Sequence, residues 1–129
     1  MKKTLVLSAV AGMLSLAGAG YARQEHSHDQ HAAKQTQVTG TVVEIACFVG
    51  HDTMGPKHAK CAEACARAGN PLAIYDADAK QLYLPISMDH KNPNAKLMSF
   101  IEKKVKVTGT LKEKAGLKGI AIDKVEAAE

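Results

Sequence analysis

Hydrophobic and polar positions change period several times along this chain. Residues 5–19, LVLSAVAGMLSLAGA, are apolar and uncharged, whereas residues 23–35, RQEHSHDQHAAKQ, are polar and follow no hydrophobic period. From Gln37 to Cys47 the sequence QVTGTVVEIAC alternates and then becomes β-branched, which predicts a first strand with Gly40 at a bulge or bend. Pro71–Tyr75 (PLAIY) and Gln81–Ile86 (QLYLPI) flank an Asp-Ala-Asp-Ala turn and predict a hairpin, with Pro85 at a strand end or edge. Asn94–Lys103 places Leu97, Phe100 and Ile101 at helical spacing and predicts a helix. Lys104–Leu111 (KVKVTGTL) and Gly119–Val125 (GIAIDKV) predict the last two strands, joined by a turn over 112–118, with 127–129 as a tail. Val38-Thr39-Gly40-Thr41 recurs as Val107-Thr108-Gly109-Thr110, which predicts two strands meeting the same steric demand.

Between the first two strands lies CFVGHDTMGPKHAKCAEACARAGNP, residues 47–71. Gly55-Pro56 opens an Ala-rich run to Ala68 that predicts a helix, and Gly69 and Pro71 stop it. All three cysteines of the chain sit in this stretch. His58, Cys61 and Cys65 are spaced i, i+3, i+7 and so share one stripe of the helix. If Cys47, at the first strand's tip, packs against that stripe, three thiols and an imidazole converge in the donor set of a Cys₃His metal site. His51 and Met54, on the intervening loop, are spare ligands. Met88 and His90, on a later loop, are further soft donors, although such residues are more often ordinary surface groups.

The competing expectation is a disulfide. Cys61 and Cys65 are poorly aimed at each other on a regular helix, but Cys47 could pair with either and leave an odd thiol. A thiol redox role is a third reading. It is weakened by the CAEAC spacing, which is not the two-residue spacing of thioredoxin-type centres.

Met1-Lys2-Lys3 ahead of the apolar run and small residues before Arg23 predict a signal peptide over 1–22, followed by a His-containing tether over 23–36. Its histidines, His26, His28 and His31, are loose metal donors. Periplasmic or secreted localisation is expected, with no membrane span once the leader is removed. Losing Lys2 and Lys3 takes the formal charge from +4 to +2. That charge, together with the absence of tryptophan, argues against nucleic acid as a partner. No phosphate-cradling loop, CxxCH or nucleophile elbow is present, so no enzyme class is indicated.

The order strand, helix, strand, strand, helix, strand, strand resembles an OB-fold. With the glycine in the first strand and KVKVTGTL after the second helix, residues 37–126 look like the OB-like domain of small exported bacterial proteins. The fold class expected is mainly β with two short helices: an OB-like five-stranded barrel with a helix inserted between the first and second strands. The resemblance implies that the two VTGT strands pair side by side. The function expected is periplasmic metal binding, copper or zinc, with the metal ion as partner and possible contact with an envelope protein. The alternative is a disulfide-stapled interaction module without metal.

Overall fold

The computed structural model describes residues 35–129. The predicted leader and the predicted tether up to residue 34 lie outside the described residues. Gln35 and Thr36, assigned above to the tether, begin the first strand. Five strands form the domain: β1 (Gln35–Glu44), β2 (Leu72–Asp76), β3 (Gln81–Ile86), β4 (Lys104–Lys114) and β5 (Leu117–Ala127). They close into a barrel in the order β1-β2-β3-β5-β4. All neighbours are antiparallel except β3 and β5. This is the OB-like barrel expected from the strand order.

Two helices, α1 (Ile45–His51) and α2 (Ala59–Arg67), lie between β1 and β2. The first corrects the sequence expectation: β1 ends at Glu44, and Cys47 sits on a short helix and not on a strand tip. The predicted helix over 94–103 is replaced by two 3₁₀ turns, Pro93–Lys96 and Met98–Phe100. Asn92 caps the first turn through its side chain. A bridge between Val42 and Ile101 and the left-handed backbone of Glu102 (φ 59°) then return the chain to the sheet before an α-helix develops. Leu97 and Ile101 are nonetheless buried, as their spacing suggested. The turn expected over 112–118 shrinks to Ala115-Gly116, both at positive φ, because β4 and β5 pair as far as Lys114 and Leu117.

Inside the barrel, Val38 and Val42 of β1 meet Leu72, Ile74, Val105, Val107, Ile120 and Ile122. The two VTGT segments lie on adjacent strands, with Val38 opposite Val107. Both glycines are needed for close approach. A Cβ at Gly40 would run into the carbonyl of Tyr75, and one at Gly109 into the carbonyl of Ala121. Gly40 lies beside Thr41, which pairs with both Lys104 of β4 and Tyr75 of β2, where β1 exchanges one neighbour for the other.

Gly40→Ala is therefore expected to lower stability by about 1–3 kcal/mol, because the backbone it meets has little room to move. Gly50→Ala, in helix α1 and with an added Cβ that meets nothing within 4 Å, should not lower stability and should raise it by up to about 1 kcal/mol. Urea denaturation of both variants checks this, and equal midpoints would refute the steric role of Gly40.

Candidate metal centre

The site begins at a buried carboxylate. Glu44, the last residue of β1, is 1% exposed and serves as the N-cap of α1. The N–H of Ala46 donates to its Oε1 at 3.0 Å, and the N–H of Cys47 donates to its Oε2 at 2.8 Å. A strand end thereby becomes a helix start without an intervening loop, because the carboxylate accepts from two N–H groups that a new helix leaves unpaired. Asp52, in left-handed conformation (φ 50°), ends α1, and its N–H returns to the Cys47 carbonyl. Phe48 of this short helix packs on Tyr75 of β2, ring centres 4.6 Å apart and planes inclined at 45°.

The carboxylate and the thiol alter each other. Burial tends to raise the Glu44 pKa. Hydrogen bonds from the Cys47 thiol, the Cys47 and Ala46 N–H groups and the Asn70 side chain outweigh this and hold it below the ordinary value. The Cys47 thiol is pushed up to about 12, first by its hydrogen bond to Glu44, then by burial and by the negative charge of Glu44, with a smaller contribution from Cys65. At neutral pH Cys47 is thus a protonated thiol that donates to a carboxylate.

The second helix supplies the other two sulfurs. Ala62 and Ala66, four apart, are buried against the barrel, and their small side chains let α2 lie close to it. Cys61 and Cys65 each precede one of these alanines by one position, so they flank the buried stripe. Gly69 (φ 105°) closes the helix as the sequence predicted, with Asn70 N–H donating to the Cys65 carbonyl. The following segment is pinned by the buried Asn94. Its Oδ1 accepts from Leu72 N–H at 3.0 Å, and its Nδ2 donates to the Asn70 carbonyl at 2.8 Å.

These elements bring the three thiols together. The Sγ atoms of Cys47, Cys61 and Cys65 all lie within 4.8 Å of one another. Three sulfurs bound to one ion at about 2.3 Å stand about 3.8–4.0 Å apart in tetrahedral or trigonal arrangement, so the group is within about an ångström of that spacing. The three cysteines are unpaired and graded in exposure: Cys47 buried, Cys65 intermediate, Cys61 exposed. The arrangement can hold a thiophilic metal ion.

The remaining sequence-predicted donors fall outside this group of three. His51 ends α1 and is exposed. Met54 is 44% exposed on the loop between the helices. His58 closes the 3₁₀ turn Pro56–His58 that leads into α2, and its Nε2 is buried without a hydrogen-bond partner. Met88 and His90 are exposed on the loop after β3. Sequence reasoning missed Glu44, Asn70 and Asn94, and it also missed Glu102, whose Oε2 accepts from Gly55 N–H at 2.6 Å and ties the loop between the helices to the barrel. Among the described residues no helix is long and apolar enough to cross a membrane.

No family model, curated protein or solved structure matches the chain. The class is therefore defined by the structure itself: a five-stranded OB-like barrel carrying a three-thiol candidate metal centre on the insertion between its first two strands.

Glu44→Ala should destabilise the protein by about 2–4 kcal/mol, since it removes a cap and leaves buried N–H groups unpaired. The contribution of Glu44 also has a pH signature. Its folded pKa lies below the unfolded one, so the stabilisation is present above about pH 4.3 and is lost as pH falls through the folded value. Urea denaturation from pH 7 down to pH 3 should show the gap between wild type and Glu44→Gln narrowing with acidity. A gap constant across that range would contradict the assignment.

Proposed function

We propose that this protein is an exported, non-enzymatic metal-binding protein whose Cys47–Cys61–Cys65 group holds a soft d¹⁰ ion, Cu⁺ or Zn²⁺. The observation carrying this reading is the convergence of three sulfurs, from two separate helices, within 4.8 Å. Thiolates select such ions over hard cations, and Cu⁺ is satisfied by three of them. Zn²⁺ takes a fourth donor, the role we assign to His58. It lies one turn before Cys61, and its buried Nε2 lacks a partner, an arrangement that costs about 1–3 kcal/mol until something satisfies it. His51 and Met54 are auxiliary donors on the adjoining loop. Export is supported by the leader-like residues 1–22 and suits a carrier or buffer of metal in the envelope, where a protein partner would exchange the ion.

Binding must displace the Cys47 proton, so affinity should rise with pH. Titration of the reduced protein with Cu⁺ or Zn²⁺ against a chelator is expected to give one ion per chain at this site. A variant lacking all three thiols serves as the reference for ions held by the tether histidines. Replacing any one cysteine by alanine should weaken binding by more than about 100-fold. His58→Ala should cost about 10–100-fold for Zn²⁺ and much less for Cu⁺. A reduced protein whose thermal stability neither ion changes would overturn the proposal.

A further inference from the structure

We propose that the metal site is gated by thiol oxidation: in the ion-free protein Cys61 and Cys47 close into a disulfide, and a bound ion prevents it. This inference rests on the metal-binding reading and adds regulation to it. The chain has three cysteines in all, and all three belong to the site, so any disulfide within the chain removes two of its three sulfur donors. The one remaining thiol, even with His58 and the auxiliary His51 and Met54, lacks the three-thiolate set on which selection of a soft ion depends.

Position selects the partners. Cys61 is the exposed thiol and meets an oxidant first. Cys65 lies four residues away on the same helix, where Cβ vectors run side by side and disfavour an S–S bond. Cys47 approaches from a different helix, with its sulfur within 4.8 Å of the other two, so closure to Cys61 requires a sulfur movement of less than about 3 Å to reach the 2.0 Å bond length.

The oxidant is a small aliphatic disulfide. The Cys61 thiolate attacks one of its sulfurs, forming a mixed disulfide and releasing the first thiol. The Cys47 thiol then passes its proton to the Glu44 carboxylate it is hydrogen-bonded to while its sulfur attacks Cys61 Sγ, forming the internal S–S bond and releasing the second thiol, which takes up that proton. Two protein thiols are oxidised and one disulfide is reduced, and the two protein protons end on the two released thiols. A bound ion opposes the first step, because its bond to the Cys61 sulfur engages the electron pair that would attack.

The test incubates the full chain, metal-free or loaded with Cu⁺ or Zn²⁺, with glutathione disulfide. Samples are quenched by alkylation and read by intact mass and peptide mapping. The metal-free protein should lose about 2 Da, accept one alkyl group in place of three, and show a Cys47–Cys61 linkage, with oxidation slowed at least about tenfold by loading. Oxidised protein should bind no more of either ion than the variant lacking all three thiols, until a reductant restores the site. Cys47→Ser should stop at a glutathione adduct on Cys61, and Cys65→Ser should still close the disulfide. A stable adduct on the wild-type chain, or a linkage through Cys65, overturns the proposal. Ion binding is scored separately under reductant. A reduced protein that binds no ion overturns the metal reading and the gate with it. One that binds its ion yet oxidises equally fast loaded and unloaded overturns the gate alone.

Discussion

The candidate centre depends on one buried carboxylate at the point where a strand becomes a helix. Glu44 completes the register of β1, opposite Leu72, and its side chain accepts the first N–H groups of α1. A seven-residue helix is too short to persist on its own propensity. The cap at its start, the left-handed Asp52 at its end and the tilted Phe48–Tyr75 ring contact hold it. Cys47 is the third residue of that helix, so its sulfur is directed by the same hydrogen bonds that start the helix. Asn70, which the structure ties to Glu44 and which Asn94 grips in turn, extends the constraint to the exit of α2. The two helices carrying the thiols are thus referred to one polar chain that runs from the end of β1 to the turn before β4.

The barrel was legible in the sequence because its signal is periodic. Inward valines at 38, 42, 105 and 107 alternate with exposed or half-exposed residues, and the repeated VTGT marks two adjacent strands whose glycines admit a neighbouring carbonyl. The ridge of Cys61 and Cys65 was legible for the same reason, as was the glycine stop at Gly69. α1 was not. Ile45, Phe48 and Val49 favour strands, its cap is a glutamate in place of the usual serine or aspartate, and a left-handed aspartate ends it where glycine would have been readable. The same limit explains the 3₁₀ turns over 93–100. Their apolar spacing matched a helix, but the bridge of Ile101 to Val42 decided the backbone, and that contact spans nearly 60 residues. Hydrogen bonds such as Leu72 to Asn94 or Gly55 to Glu102 leave no trace in local pattern.

The position of the thiol group bears on what it can do. It lies outside the barrel, at the seam between two helices that pack on it. The barrel interior is filled mainly by aliphatic side chains, and of α1 and α2 it is the α2 residues Ala62 and Ala66 that join that core. Fold and site are therefore separable, and an OB-like barrel by itself implies no particular ligand. The exposure gradient from Cys47 to Cys61 gives the group one anchored and one accessible sulfur.

Because the candidate ligands come from both helices, binding of an ion there and local folding would be one equilibrium. An ion held by Cys47, Cys61 and Cys65 would cross-link α1 to α2 and add its binding free energy to the docking of the insertion, while the barrel, stable through its own closed ladder, would change little. The insertion is held by Glu44, Asn94, Glu102 and two buried alanines, contacts that fix its backbone and keep its sulfurs within 4.8 Å of one another. The three donors are thus gathered by the fold itself, before any ion is present to gather them.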